Sequence, residues 1–112
     1  MGEDVYAELA LRCAEQVPVG RVTTYGAIAD AVGAVLGRGG PRQVGSVMSR
    51  HGSGVPWWRV IRASGRPADC HDGTALEHLH GENVPMRAPG VVDLERAFYQ
   101  PVLDRADALL ED

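Results

Sequence analysis

At 112 residues, with 45% hydrophobic and 23% charged residues, the chain fits one soluble globular domain spanning 1–112, and it is too short for two cores. Its apolar runs are too brief to cross a membrane, and the acidic start Met1-Gly2-Glu3-Asp4 stands where a signal peptide would be basic, so a cytoplasmic protein with no membrane partner is expected. Two cysteines, Cys13 and Cys70, give no disulfide framework, and the net charge of −4 argues at first sight against nucleic acid.

Val5, Leu9, Cys13 and Val17 recur every four residues with Tyr6 and Ala10 beside them, which predicts an amphipathic helix ended by Pro18. Residues 19–22 read as a turn. Thr23 or Thr24 offers a side-chain oxygen to cap a second helix, in which Ile28, Ala31 and Val32 form the buried stripe and Gly33 is suited to stop it. After the glycine-rich link Gly37-Arg38-Gly39-Gly40, Pro41 is placed to open a third helix with Val44, Val47 and Met48 as its apolar side, fading at His51-Gly52. Two short amphipathic helices joined this way suggest a helix-turn-helix. Arg42 then falls in the first turn of the second helix, where a cation opposes the helix dipole and points to function rather than stability.

Further on, Val60-Ile61 reads as a short strand and Ser64-Gly65-Arg66-Pro67 as a turn. Residues 75–80 have helical character. Val84-Pro85-Met86 and Gly90-Val91-Val92 pair as a hairpin or wing, Asp93 caps a short helical turn through Phe98, and Pro101 opens a terminal helix carrying Val102, Leu103, Ala106 and Leu110. The fold class expected is mainly α, a winged-helix-like DNA-binding domain with a helix-turn-helix and a small β hairpin.

The distribution of charge reverses the impression left by its sum. Between Val17 and Ala68 stand seven arginines (21, 38, 42, 50, 59, 62 and 66) against the single acid Asp30, a net of +6, while the remainder holds four arginines and fourteen acids, a net of −10. A cationic middle in an acidic chain is the footprint of a phosphate-bearing partner, although arginines that merely solvate a face would give the same pattern. Inside that segment, Val55-Pro56-Trp57-Trp58-Arg59-Val60 places two tryptophans side by side in a chain with 5% aromatics. Such a pair is either a core anchor or a surface built to grip something flat.

These motifs in order, Val17-Pro18-x-Gly20-x-Val22-x-Thr24-Tyr25-Gly26, then Arg42-x-Val44-Gly45-x-x-Met48, then Pro56-Trp57-x-Arg59-Val60-Ile61 with Ser64-Gly65, resemble the DNA-binding domain of the O6-alkylguanine-DNA alkyltransferases. More closely they resemble the alkyltransferase-like proteins, in which Trp stands for the alkyl-accepting Cys. The resemblance implies non-enzymatic recognition of O6-alkylguanine in double-stranded DNA, by minor-groove docking of the helix-turn-helix and base flipping, with lesions marked for nucleotide excision repair proteins. It assigns Tyr25 to the lesion phosphate, Arg42 to the finger that fills the vacated stack, and Gly45 and Ser46 to close approach of the second helix. The lesion pocket would hold Tyr25, Val55, Pro56, Trp57 and Ser64, with Arg66 as a pocket or phosphate contact and Arg59 bracing the motif from behind. The spacing at which family members can carry a guanine-supporting Arg holds Asp69-Cys70-His71 here.

Dealkylation needs a thiolate activated by a neighbouring base, and Trp57 and Trp58 stand where that Cys and His would be. Indole offers no comparable nucleophile, so no catalytic residue, cofactor or metal is expected, and the chain should act as a monomer. Of the two tryptophans, Trp57 reads as the ligand-facing one and Trp58 as a packing residue against the first helix. The rival readings are a sequence-specific helix-turn-helix regulator, a residual alkyltransferase using Cys70 with His71, and a zinc module; for the last, His78 and His80 diverge on a helix and lack zinc spacing.

Overall fold

The four-residue recurrence in the first segment produces helix α1, Gly2–Gln16, in a computed structural model that describes residues 2–68 and 73–104. Tyr6, Leu9, Ala10, Cys13 and Ala14 are fully buried along one side of α1, and Val17 follows them into the core. Burial pushes the Tyr6 phenol above its ordinary value of 10.0, while Arg38, whose guanidinium lies 5.9 Å from the ring centroid, partly offsets the shift.

Strand β1, Thr23–Thr24, leads directly into helix α2, Tyr25–Leu36. Thr24 is the cap: its extended backbone lets Oγ1 accept from the Ala27 N–H at 3.1 Å. The expectation that Gly33 stops this helix fails, because Val35 and Leu36 add a further turn against the core. The stop lies at Gly37, whose left-handed φ of 72° allows its N–H to reach back to the Gly33 carbonyl at 2.7 Å. The next link residue, Gly39, has φ 94° and lies on Tyr6, so that a Cβ there would collide with the buried ring. The glycine-rich link is therefore set by packing against α1 as well as by turning.

Helix α3 runs Pro41–His51 with Pro41 in its first turn. Val44, Val47 and Met48 join α1 and α2 in the main core. The three helices form the helix-turn-helix layer, in which α2 and α3 are consecutive and mutually packed. Two 3₁₀ turns, Gly52–Gly54 and Trp57–Arg59, carry the chain to strand β2, Val60–Ile61.

β2 pairs in parallel with β1, Thr23 opposite Val60 and Thr24 opposite Ile61. The turn expected over 19–22 therefore ends in a strand, a pairing that no local pattern announces. Because neighbouring strand residues face opposite ways, Val60 enters the three-helix core and Ile61 a second core with Val22, Leu79, Val84, Val92 and Ala97. That second core is covered by α4, Ala75–Gly81, by the wing β3, Met86–Ala88, with β4, Val91–Val92, and by the short α5, Leu94–Ala97. The wing is antiparallel with an irregularity between Met86 and Ala88. The architecture is the mainly helical, winged-helix-like one expected.

Two details near the end differ from expectation. Asp93 precedes α5, but its carbonyl, not its side chain, accepts the first helical bonds from Arg96 and Ala97. Residues 101–104 are irregular rather than helical, because Gln16 captures Val102: its Nε2 donates to the Val102 carbonyl at 2.8 Å and its Oε1 accepts from the Val102 N–H at 3.0 Å. Ala106 and Leu110 of the expected terminal helix lie outside the described residues, as do Asp69, Cys70 and His71.

Candidate nucleic-acid interface

The exposed start of α3 is the point from which the site is built. Gly40 caps it with extended backbone and no side-chain bond, and its first turn holds no acid. An uncapped helix start carries unsatisfied N–H groups and a partial positive charge, and Arg42 adds a full one on an exposed side chain. Beside it opens a cavity of about 530 Å³ lined by Tyr25, Pro41, Arg42, Gly45, Ser49, Arg62 and Ala68. That size lies in the roughly 300–1,000 Å³ range of small-ligand sites. No acid lines it among the described residues. A larger cavity of about 830 Å³ lies on the α1 face, but Glu8 and Glu15 offset Arg12 there, so it offers a polyanion no cationic surface.

Three of the expected contacts, Tyr25, Arg42 and Gly45, thus share one cavity. Ser46 is exposed on α3, one position beyond Gly45. Val55 and Pro56 line a different hollow with Glu15, Ser53, Trp58 and Arg59. Ser64 is exposed at the tip of the 62–67 turn, where the Gly65 N–H donates to the Arg62 carbonyl and the Arg62 N–H to the Arg66 carbonyl. Arg66 lines a second cavity of about 210 Å³ against Gly73, Leu76 and Gly90.

The tryptophans exchange some of their expected character. Trp57 is the more deeply buried, with 7% of its surface exposed, and meets Trp58 and His78 edge-on, each with ring centroids 5.6 Å apart. Trp58 is half-buried and packs on α4 instead of α1: its ring stacks on His78 at 4.1 Å and 13°, and its Nε1 donates to Glu82 Oε2 at 2.8 Å. The fixed place of Trp58 comes from a carboxylate 24 positions away, for which no local signal exists.

Glu82 is the hub behind the motif. It also accepts from Arg59 Nε at 3.0 Å, from Arg59 Nη2 at 2.7 Å and from the Gly20 N–H at 3.3 Å, while Arg59 Nη1 donates to the Val17 carbonyl at 2.9 Å. Burial would raise the Glu82 carboxyl, but the bonds from Arg59, Trp58 and Gly20 hold it below the usual carboxylate range. Arg59 therefore braces the Trp-Trp turn against the end of α1 and cannot serve a ligand. Of the seven arginines in the cationic segment, Arg59 is engaged in this way, Arg21 directs Nη1 to the Phe98 carbonyl at 3.4 Å, and Arg38 lies over Tyr6. Arg50 is exposed in the last turn of α3, and Arg42, Arg62 and Arg66 line the cavities at the start of α3 and beside the 62–67 turn. Arg62 is the contributor that sequence reasoning missed; its only signal was its place among the other arginines.

The model of the 6-O-methylguanine DNA methyltransferase DNA-binding domain matches residues 6–82. A DNA base-flipping protein of Escherichia coli (strain K12) is 33% identical over 98 residues, covering 84% of this chain and 74% of that protein. One from Vibrio parahaemolyticus is 33% identical over 92 residues, covering 77% of this chain and 87% of that protein. Among solved structures, S. pombe Atl1 in complex with damaged DNA containing O6-carboxymethylguanine superposes with a TM-score of 0.70 at 28% identity, over 88% of this chain and 97% of that one. S. pombe ATL in complex with DNA gives 0.69 at 27% identity, with the same coverage.

Proposed function

The chain belongs to the family of the 6-O-methylguanine DNA methyltransferase DNA-binding domain and falls with its alkyltransferase-like members, and on that premise we propose that it recognises O6-alkylguanine in duplex DNA by base flipping, without turnover. The observation that carries this reading is the single cavity at the start of α3, where Tyr25, Arg42 and Gly45 meet with no acid among the described lining residues.

In this proposal α3 enters the minor groove, with Gly45 and Ser46 allowing the sugar-phosphate walls to come close. Arg42 enters the stack as the damaged nucleotide leaves, and Tyr25 holds its phosphate. Extrusion costs a few kcal/mol of pairing and stacking, least for a base whose pairing is already weakened by O6-alkylation. An aromatic–base stack returns ~1–3 kcal/mol, which assigns Trp57, with Val55, Pro56 and Ser64, to the receiving side. Because Trp57 exposes only 7% of its surface, the base reaches it after its cover has parted, and binding should change tryptophan emission. With indoles at 57 and 58 in place of a thiol and an imidazole, the alkyl group stays on DNA. The monomer then holds the lesion for removal by nucleotide excision repair.

The test compares affinities for matched duplexes with and without O6-methylguanine, using the wild type, Trp57→Ala and Arg42→Ala. The wild type should prefer the lesion, Trp57→Ala should reduce that preference by ~5–100-fold, and mass spectrometry should find no methyl group on the protein. Equal affinity of the wild type for both duplexes defeats the reading in favour of a sequence-specific regulator. A methylated side chain defeats its non-catalytic part.

A further inference from the structure

The hollow of about 830 Å³ on the outer face of α1 has no part in lesion recognition. Its apolar lining is Ala7, Leu11, Val55 and Leu103, half-buried residues that pack against the three-helix core. Beside it Val102, whose backbone is held by the lining residue Gln16, keeps 70% of its surface exposed, as one of three large hydrophobic residues open to solvent among those described. A further hollow of about 480 Å³ shares Glu15 and Val55 and continues the groove to Pro56 and Trp58. The groove shares no lining residue with the α3 cavity. His51, which lines it, stands nine positions from Arg42 on α3, a separation of about 14 Å along that helix.

We propose that this groove docks an amphipathic helix of another protein, with the apolar stripe of that helix on Leu11, Val55 and Leu103 and its basic residues opposite Glu8 and Glu15. Both acids are exposed along the groove, and Arg12 between them already interacts within the chain, so the carboxylates set the sign of the face. They stand seven residues apart, two turns or about 10 Å along α1. A helix lying alongside repeats that spacing with Lys or Arg at i and i+7. The same arrangement disfavours a second copy of this chain. A two-fold axis through the middle of the groove brings position 8 onto 15 and position 11 onto 12, so two acids would meet two acids and like charges would be opposed in both pairs. The docking face is independent of the α3 cavity, and a partner and a duplex are held at once. A protein that binds without turnover then has a surface through which a second protein is brought to the DNA.

The test uses two fluorescein-labelled peptides of about 18 residues, long enough to be helical, each with a leucine stripe. One carries lysines seven positions apart beside the stripe, and the other carries glutamates at the same places. Binding to the full chain is followed by anisotropy and located by NMR amide shifts. The basic peptide should bind roughly tenfold more tightly than the acidic one, with shifts centred on Leu11, Val55 and Leu103. Reversing both acids together, Glu8→Arg with Glu15→Arg, should weaken the basic peptide roughly tenfold and make the acidic peptide the better ligand. Both side chains are exposed, so the fold tolerates the exchange. Leu11→Ala should weaken the basic peptide roughly fivefold, while affinity for undamaged duplex stays within about twofold. Failure of the basic peptide to bind, equal binding of the two peptides, or an unchanged preference after the double reversal overturns the proposal. So does a wild type that dimerises in sedimentation and loses the dimer in Leu11→Ala, which assigns the face to a second copy. Lesion preference on matched duplexes is a separate measurement, so the α3 reading and the docking face stand or fall apart from each other.

Discussion

Replacing Glu82 with alanine should unfold the brace behind the Trp-Trp turn, and its cost follows from the bonds the carboxylate receives. Four donors converge on it: Trp58 Nε1, Arg59 Nε and Nη2, and the Gly20 N–H. The side chains of Arg59 and Glu82 are 12% and 14% exposed, so removing the acid leaves the guanidinium poorly hydrated, with Val17 as its remaining described acceptor. Breaking a buried pair from one side costs ~3–5 kcal/mol, and the residual exposure here favours the lower end, about 3 kcal/mol. For a chain of this length that is a fall in melting temperature of roughly 13 °C. Urea unfolding followed by tryptophan fluorescence should give this value for Glu82→Ala and a similar one for Arg59→Ala. The double variant should be well short of additive, because the same bonds are lost in each. A cost below ~1 kcal/mol for Glu82→Ala, or strict additivity with Arg59→Ala, would refute the brace. The sign of the pH effect is fixed as well. A carboxyl held below its ordinary value of 4.5 stabilises the fold above that value and loses its contribution as pH falls through its lowered folded value. The gap between wild type and Glu82→Gln should therefore be full near neutrality and shrink in acid below about pH 4.5.

Gly39→Ala should destabilise by roughly 2 kcal/mol or more, because φ 94° is strained for alanine and its Cβ meets the buried Tyr6 ring; Gly40→Ala, with extended backbone and open space, should cost under about 1 kcal/mol in the same thermal melts. Tyr6→Phe should be neutral or stabilising by up to ~1 kcal/mol, since the buried Tyr6 hydroxyl has no described partner, and a loss above that would expose an acceptor. Gly40→Asp should act in opposite directions: a carboxylate at the bare start of α3 raises stability by a few tenths of a kcal/mol in denaturation, about what capping returns over glycine, yet weakens duplex binding measured by fluorescence anisotropy. Trp58→Phe keeps the stack on His78 but drops the bond to Glu82, and should cost ~1–2 kcal/mol in urea.

Where periodicity carries the information, the chain could be read directly. The buried stripes of α1, α2 and α3, the Thr24 cap, Pro41 in the first turn of α3 and the second strand of the wing all follow from residues within a few positions of one another, whereas the first strand of the wing lies at Met86–Ala88 and not over 84–86. The position of Arg42 in an uncapped, acid-free first turn is equally local. The end of α2 was not, because Gly33 and Gly37 are both chemically fit to stop a helix. Only the packing of Val35 and Leu36 against the core selects the second. Residues 101–104 depart from the expected helix for a similar reason, since Gln16, far away in sequence, holds Val102 by both its polar groups.

By itself, then, the sequence determined the helix-turn-helix, the cationic segment and the pair of adjacent tryptophans, all properties of residue type and short spacing. Tertiary structure alone decided which of the arginines line the cavity at the start of α3. It also decided that Trp57 lies deeper than Trp58, and that Glu82 holds the turn between them and Arg59. Those outcomes depend on contacts between positions tens of residues apart, such as the parallel pairing of Thr23–Thr24 with Val60–Ile61 and the reach of Glu82 to Gly20. Charge and hydrophobicity read along a chain give no register for such meetings, because packing and desolvation choose it only when the whole core closes.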